Sequence, residues 1–138
     1  EKMHTNNLIV DFLGALYDTY GDDITYLYIG SVRDGALTKY QSFFDTGVYA
    51  ASNRSAWVFT NYLRSMVKDL QTEVQTIGIY LFDRLPFSWI PWLNRLTQHT
   101  VLETQTAFWR LTGGRSPIEW LNAAVYGNVY TVGLEKLR

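Results

Sequence analysis

Two histidines and thirteen acidic side chains are the groups in this chain that could carry acid–base or metal chemistry. His99 and Glu103 lie one helical turn apart, a spacing at which an imidazole and a carboxylate can share a metal ion or pass a proton. Two ligands do not make a zinc site, and ordinary pairing on a solvated helix face explains the spacing more simply. We therefore predict no metal and no cofactor from this pair.

A second acidic group lies near the start of the chain. Asp11 and Asp18 are two helical turns apart, with Asp22 and Asp23 just beyond, so they could bind a cation or act as an acid and a base. No calcium-loop pattern surrounds Asp22, and helix capping and solvation explain these acids more simply. The absence of cysteine excludes thiol catalysis and disulfides. The sequence predicts no catalytic residues, and an enzyme is the least favoured class.

The segment Gly113-Gly114-Arg115-Ser116 could bind an anion, because free backbone N–H groups at a helix start attract negative charge and Arg115 adds a cation. The alternative is a plain helix stop followed by a restart. Arg115 and Ser116 are therefore candidate anion-binding residues.

Basic and amide side chains recur along one line of a predicted long helix, at steps of seven, three, four, three and four residues. A line of Arg, Lys, Asn and Gln can follow a phosphate backbone. The alternative is the ordinary solvated face of a bundle helix. The candidate nucleic-acid-binding residues are Arg54, Asn61, Arg64, Lys68, Gln71 and Gln75.

The element that positions this line is the predicted helix from Ser55 to Leu85. Its apolar residues recur every three or four positions, which is the period of one helix face. We expect Asn53 or Ser55 to cap it and Pro86 to end it. Such a helix measures roughly 45 Å, more than the roughly 30 Å expected across a compact domain of this size. Its apolar positions are Val58, Tyr62, Met66, Leu70, Val74, Ile77 and Leu81.

The remaining segments predict three more helices and one hairpin. A first helix, capped by Asn6 or Asn7, runs to Gly21. Residues 24–44 resemble a β-hairpin turning at Asp34-Gly35, although a helical spacing also survives there. A helix capped by Ser88 runs towards Gly113, and a capping box at Ser116-Pro-Ile-Glu119 begins a last helix with a buried face extending to Val132. The fold class is mainly α: one domain, residues 1–138, forming an antiparallel bundle of about four helices.

Composition favours burial of aromatic surface. The chain has 5 Trp, 10 Tyr and 7 Phe and a formal net charge of −1. Tyr and Trp are enriched at interfaces, so these residues indicate either a partner-covered surface or an aromatic-rich core. No apolar run is long enough to span a membrane.

The last third of the chain resembles the coat proteins of archaeal rod-shaped and filamentous viruses. The residues concerned are Ala107-Phe-Trp-Arg-Leu111, the turn at Gly113-Gly114, and Ser116-Pro-Ile-Glu-Trp-Leu-Asn-Ala123; Ser52-Asn-Arg-Ser-Ala-Trp57 is a second point of similarity. The resemblance implies a helical-bundle subunit that packs in many copies around linear double-stranded DNA. The family's N-terminal arm grips DNA, whereas residues 6–20 of this chain are acidic and apolar.

These observations together predict a structural, self-assembling subunit, a helical filament or virion coat protein packing around nucleic acid. Direct DNA contact would then come from the basic line or from a second, related subunit. The expected location is the virion, with the cytoplasm as the alternative. The alternative function is a small helical ligand-binding module whose pocket is lined by Trp89, Trp92, Trp109 and Trp120.

Overall fold

The computed structural model describes residues 5–83, 101–103 and 105–138. Within these ranges the chain is mainly helical, as predicted, with two short strands. The elements in chain order are α1 (Thr5–Tyr20), β1 (Leu27–Ser31), α2 (Gly35–Thr46), α3 (Asn53–Glu73), β2 (Gly78–Phe82) and α4 (Pro117–Val125), with single 3₁₀ turns at Gly21–Asp23, Val101–Glu103, Gln105–Phe108 and Leu134–Leu137.

The first helix ends where the sequence predicts. Gly21 follows α1 with φ +52°, a left-handed conformation that stops a helix and that glycine adopts without strain. The N-terminal prediction is wrong by a few residues. Because α1 already includes Asn6 and Asn7, neither of them is the residue that caps it.

The predicted hairpin at residues 24–44 is wrong, because the two strands are parallel and far apart in the chain. β1 pairs with β2 from Leu27 beside Gly78 to Ser31 beside Phe82. Asp34 does not turn a hairpin. Its side chain accepts a hydrogen bond from the Leu37 N–H at 2.8 Å, and this caps α2. The crossover through α2 and α3 is the kind of long connection that parallel strands require.

The predicted long helix is shorter than expected. It ends at Glu73, and the next apolar run contains β2 (Gly78–Phe82), which is buried on both faces. A fully buried parallel strand is a continuous apolar run, which periodicity alone does not separate from a buried helix. Gly78 has a packing role, since a Cβ there would lie 2.9 Å from side-chain atoms of Leu27 and Val129.

The second edge of β2 is covered by the end of the chain. The Leu81 N–H donates to the Val132 carbonyl at 3.0 Å, and the Val132 N–H donates to Ile79 at 2.8 Å. The predicted helical continuation to Val132 is therefore wrong. The helix ends at Val125, and Gly127 adopts φ +80°. Val132 then forms an isolated bridge with Tyr80.

The core lies on both faces of β2. Ile79 and Leu81 pack with α3 and α1, whereas Tyr80 and Phe82 pack with Trp120 of α4. This alternation is the period of a strand that is buried on both sides. The predicted antiparallel bundle is not confirmed, because the sheet separates α1 and α3 from α4.

One predicted helix falls mostly outside the described residues. Its start at Ser88 and its apolar positions up to Thr100 belong to residues 84–100. In the described part, Val101–Glu103 and Gln105–Phe108 are two short 3₁₀ turns rather than the end of an α-helix. Among the described helices, none combines the length and the apolar composition needed to cross a bilayer.

Candidate nucleic-acid and assembly surfaces

The predicted basic line lies on the face of α3 that is turned away from the core. The helix begins at a reciprocal capping box, in which Ser52 rather than Asn53 or Ser55 is the cap and the Ser55 N–H donates to the Ser52 hydroxyl at 3.0 Å. The opposite, buried face consists of Ser55, Phe59, Leu63, Met66, Val67 and Leu70. Because that face packs on the sheet and on α1, the polar line is left at the surface.

Arg64 is already occupied within the fold. Its Nε donates to the Leu137 carbonyl oxygen at 2.7 Å, its second terminal nitrogen donates to the same oxygen, and the other donates to Asn61 Oδ1 at 2.8 Å. Arg64 and Asn61 therefore hold the C-terminal 3₁₀ turn against α3. These bonds reduce the number of side-chain donors that Arg64 has left for a phosphate.

Three other members of the line are available to solvent. Arg54, Lys68 and Gln71 are exposed on α3. Within the described ranges, the structure shows no ion pair for Arg54 or Lys68. Gln75 is also exposed, but it lies in the turn between α3 and β2, so the helical spacing that joined it to Gln71 does not exist.

Sequence reasoning missed Trp57, which lies on the same line. The side chain is 68% exposed. It fills the seven-residue gap between Arg54 and Asn61, three positions after one and four before the other. The helical spacing is present in the sequence, but the line was defined by its polar side chains and Trp57 is aromatic. We call Arg54, Trp57, Asn61, Arg64, Lys68 and Gln71 the α3 stripe.

The second notable surface is α2, where the usual arrangement is largely reversed: Leu37 packs on the core, but the fully buried side chains are polar and the aromatic ones are exposed. Thr38, Gln41 and Ser42 are buried against the rest of the domain. Phe43 and Phe44 are 50% and 60% exposed. A surface helix normally buries its apolar face, so this arrangement leaves aromatic side chains in water.

These side chains share one side of α2, and the loop that follows contacts that side through Tyr49. Tyr40 is followed by Phe43 and Phe44 at helical spacing, and Tyr49 folds back so that its ring is 5.2 Å from Tyr40, edge to face. Loss of water around its hydroxyl, and then the neighbouring Tyr40, raise the pKa of Tyr49 above its ordinary value. We call Tyr40, Phe43, Phe44, Val48 and Tyr49 the aromatic surface.

Two further elements expose large apolar side chains. Leu8 and Phe12 are neighbours one turn apart on α1, and both are more than half exposed. At the other end of the chain, Val125 and Tyr126 follow one another at the end of α4 and are each 81% exposed. Exposed apolar surface on this scale marks contact sites more often than isolated exposed residues do.

The candidate anion site at the start of α4 is filled by the protein itself. The Glu119 carboxylate accepts the Ser116 N–H at 2.8 Å, and the Glu119 N–H donates to the Ser116 hydroxyl at 3.1 Å. The hydrogen bond from Ser116, ahead of the charge on Arg110, lowers the pKa of Glu119. This carboxylate takes the place that an external anion would occupy.

Arg115 lies beside this capping box and lines a depression in the surface. It is exposed and lines an open depression of about 420 Å³ beside the end of α4. The other lining residues are Gly113, Ala123, Asn128, Tyr130 and Val132.

The acid–base candidates do not converge in the described part of the chain. Asp11 and Asp18 are exposed on α1, and Asp22 and Asp23 are exposed in the turn after it. Glu103 is exposed, and His99 lies outside the described residues. Among the residues that the structure describes, no three acidic or histidine side chains are grouped so that they could hold a metal ion.

The tryptophans proposed to line a pocket do not form one in the described structure. Trp120 is 1% exposed in the core, and its indole N–H donates to the Tyr130 carbonyl at 2.8 Å. Trp109 is half-buried, and Trp89 and Trp92 fall outside the described residues.

Comparisons with protein-family models, with curated proteins and with solved structures find no match to this chain.

Proposed function

We propose that this chain is a structural subunit that assembles with copies of itself into a filament or virion coat around nucleic acid. The observation that carries the proposal is the reversed α2, which buries Thr38 and Gln41 while it exposes Phe43 and Phe44. Exposing aromatic side chains to water carries a free-energy cost that is proportional to their exposed apolar area. A partner that covers the aromatic surface removes this cost.

A second copy of the chain is the occupant that fits best. Twelve basic and thirteen acidic side chains leave a net charge of −1, so copies of the chain repel one another only weakly. A strongly charged partner gains little from a surface made of Tyr, Phe and Val. Aromatic residues are the type that dominates the centres of protein–protein contacts.

Several contacts are needed to hold such an assembly. The four rings of the aromatic surface, each about half exposed, offer roughly 300–500 Å². A stable pairwise interface takes about 800 Å² from each partner. The exposed pairs Leu8 and Phe12 on α1, and Val125 and Tyr126 after α4, supply additional area. Contacts between different patches are heterologous, and they extend into filaments when the rotation does not close.

The α3 stripe is the surface proposed to face nucleic acid. Arg54 and Lys68 can neutralise phosphates, and Gln71 can donate a hydrogen bond to a phosphate oxygen. The resemblance to archaeal virus coat proteins implies double-stranded DNA, the virion as the location and a second related subunit as a further contributor. That resemblance also implies a helical bundle, which is not confirmed, so support for the function comes from the surfaces of α2 and α3.

Negative-stain electron microscopy of the natively isolated protein tests the proposal, with absorbance at 260 and 280 nm measured on the same sample. We expect regular filaments or shells with excess absorbance at 260 nm. Small isolated particles with a pure protein spectrum would contradict both parts of the function. Filaments without the excess absorbance would support self-assembly and contradict the nucleic-acid part of the proposal.

A further inference from the structure

We infer that the nucleic acid held by the α3 stripe is single-stranded and that its bases stack on Trp57. This inference rests on the proposed coat function, and it names a different class of polynucleotide from the double-stranded DNA that the resemblance implies.

The position of Trp57 places an aromatic face among phosphate-binding groups. The stripe advances by three, four, three, four and three residues from Arg54 to Gln71, so Trp57 lies on the line between Arg54 and Lys68. The stripe is about 25 Å long at 1.5 Å per residue, enough for a few nucleotides. The indole is 68% exposed, and the described structure shows no ring stacked on it.

The charge of the stripe is too small for strong duplex binding. Arg64 is committed to the Leu137 carbonyl, which leaves Arg54 and Lys68 as the cations of the stripe for which the described residues show no ion pair. Affinity for a duplex comes mainly from phosphates neutralised, and each lost contact weakens it. A surface with two such cations needs another source of affinity.

Stacking supplies that source only when bases are unpaired. Bases in a duplex are stacked on one another, and their flat faces are closed to a side chain on a helix surface. Bases of a single strand expose those faces, and they stack on aromatic side chains with little dependence on sequence. Basic groups that follow the backbone and an aromatic side chain between them are the two parts that such surfaces combine.

Trp57 differs from the aromatic surface of α2 in the polarity of its neighbours along the helix. Arg54, Asn61 and Arg64 surround it along the stripe, whereas Phe43 and Phe44 have aromatic neighbours. A protein contact would leave these polar groups to be desolvated. A polynucleotide satisfies them with phosphate oxygens.

The test uses fluorescence anisotropy with two labelled probes, a 12-nucleotide thymidine strand and a 12-base-pair duplex, titrated with the full chain at several salt concentrations. We expect the single strand to bind at least tenfold more tightly than the duplex. Trp57→Ala should weaken single-strand binding by about tenfold, whereas Trp57→Phe keeps most of it. With two phosphate contacts, the logarithm of the affinity should fall with that of salt at a slope of about −1.4, and Arg54→Ala should reduce that slope by about half.

Phe108→Ala is the matched control, because Phe108 is 71% exposed but lies in a 3₁₀ turn outside the stripe. It should bind the single strand as the unaltered chain does. Equal or tighter binding of the duplex, or an unchanged affinity in Trp57→Ala, would overturn the inference while leaving a nucleic-acid coat intact. Failure of both probes to bind would overturn the inference together with the nucleic-acid part of the proposed function. If Trp57→Ala instead disrupts assembly and leaves binding unchanged, Trp57 belongs to a protein contact.

Discussion

Arg64, in the middle of α3, donates a hydrogen bond from Nε to the carbonyl oxygen of Leu137, a residue 73 positions later in the chain. Leu137 is buried against α3 and belongs to the same core cluster as Leu63 and Val67. The ion pair between Lys136 and Asp83, at 3.5 Å, fixes the same turn to the end of β2. Arg64 is therefore a structural residue as well as a member of the α3 stripe.

Replacing Arg64 tests that structural role. Arg64→Ala should lower the free energy of unfolding by about 1 kcal/mol, because a hydrogen-bonded carbonyl loses a charged donor. Arg64→Lys should recover only part of this loss, since an ammonium group does not reproduce the planar set of donors. Urea unfolding followed by circular dichroism measures both. Lys68→Ala is the control, and an equal effect in the two alanine variants would contradict the role.

Two glycines with left-handed backbones should respond differently to substitution. Gly133 has φ +88°, and a Cβ there would come within 2.0 Å of the Leu81 carbonyl oxygen. Gly114 has φ +69° with open space around it. We expect Gly114→Ala to cost about 1 kcal/mol, from the backbone conformation alone.

For Gly133→Ala we expect a loss of at least about 3 kcal/mol, because the segment around Val132 must also move away from β2. Thermal unfolding of the two variants separates the effects. Similar stabilities would show that the chain around Val132 does not pack on β2 as described.

The capping box of α4 predicts a pH dependence. The hydrogen bond from Ser116 lowers the folded-state pKa of Glu119 below its ordinary value of 4.5. The stabilisation of the fold by the ionised Glu119 carboxylate is therefore complete above the ordinary pKa. It is lost as the pH falls through the lowered folded-state pKa. Unfolding free energies of the unaltered chain and of Glu119→Gln should differ at neutral pH and converge in acid. A constant difference would contradict the assignment.

The Ser116 hydroxyl is the uncharged partner in the same capping box and can be tested separately. Ser116→Ala should cost about 1 kcal/mol, as the loss of a helix cap does. Ser52→Ala removes the equivalent cap of α3 and should have a similar effect. Urea unfolding at neutral pH measures both variants, and no change in Ser116→Ala would show that the α4 cap is not formed.

Tyr80 should titrate late. Tyr80 belongs to β2, and its burial against Trp120 of α4 raises its pKa to about 12. Its hydroxyl donates to the Arg115 carbonyl at 2.6 Å. Because the neutral form is favoured in the folded state, its stabilising effect is complete below about pH 10 and is lost as the pH rises towards 12. The ultraviolet titration of the unaltered chain minus that of Tyr80→Phe should show this group. A midpoint near 10 would contradict its burial.

Local signals in the sequence were reliable where a specific backbone group needs a partner. The Ser116–Glu119 capping box and the Gly21 stop were predicted because each satisfies a fixed hydrogen-bonding or backbone requirement at a helix end. The β2 strand was not predicted, because the spacing of Val74, Ile77 and Leu81 fits a helix face as well as a buried strand. Its identity depends on pairing with Leu27–Ser31 and with Val132, which are distant in sequence.

The candidate surfaces were predicted only in part. The α3 stripe follows from helical spacing, which holds from Arg54 to Gln71 and fails at Gln75, where the helix has ended. The reversal of α2 could not be predicted from the sequence, because the hairpin favoured over residues 24–44 places this segment in a strand and because packing on α3 decides which side is buried. The role of Arg64 depends on a contact with Leu137 that no local pattern indicates.

The proposed assembly requires the aromatic surface of α2 to hold copies of this chain together. Sedimentation velocity across a range of concentrations tests it most directly, with the unaltered chain, a Tyr40→Ser/Phe44→Ser variant and Phe108→Ser as the exposed-aromatic control. We predict large species that grow with concentration for the unaltered chain and the control. The double variant should keep its fold and require at least about tenfold more protein to assemble. A monomer at every concentration, or unchanged assembly in the double variant, would contradict the claim.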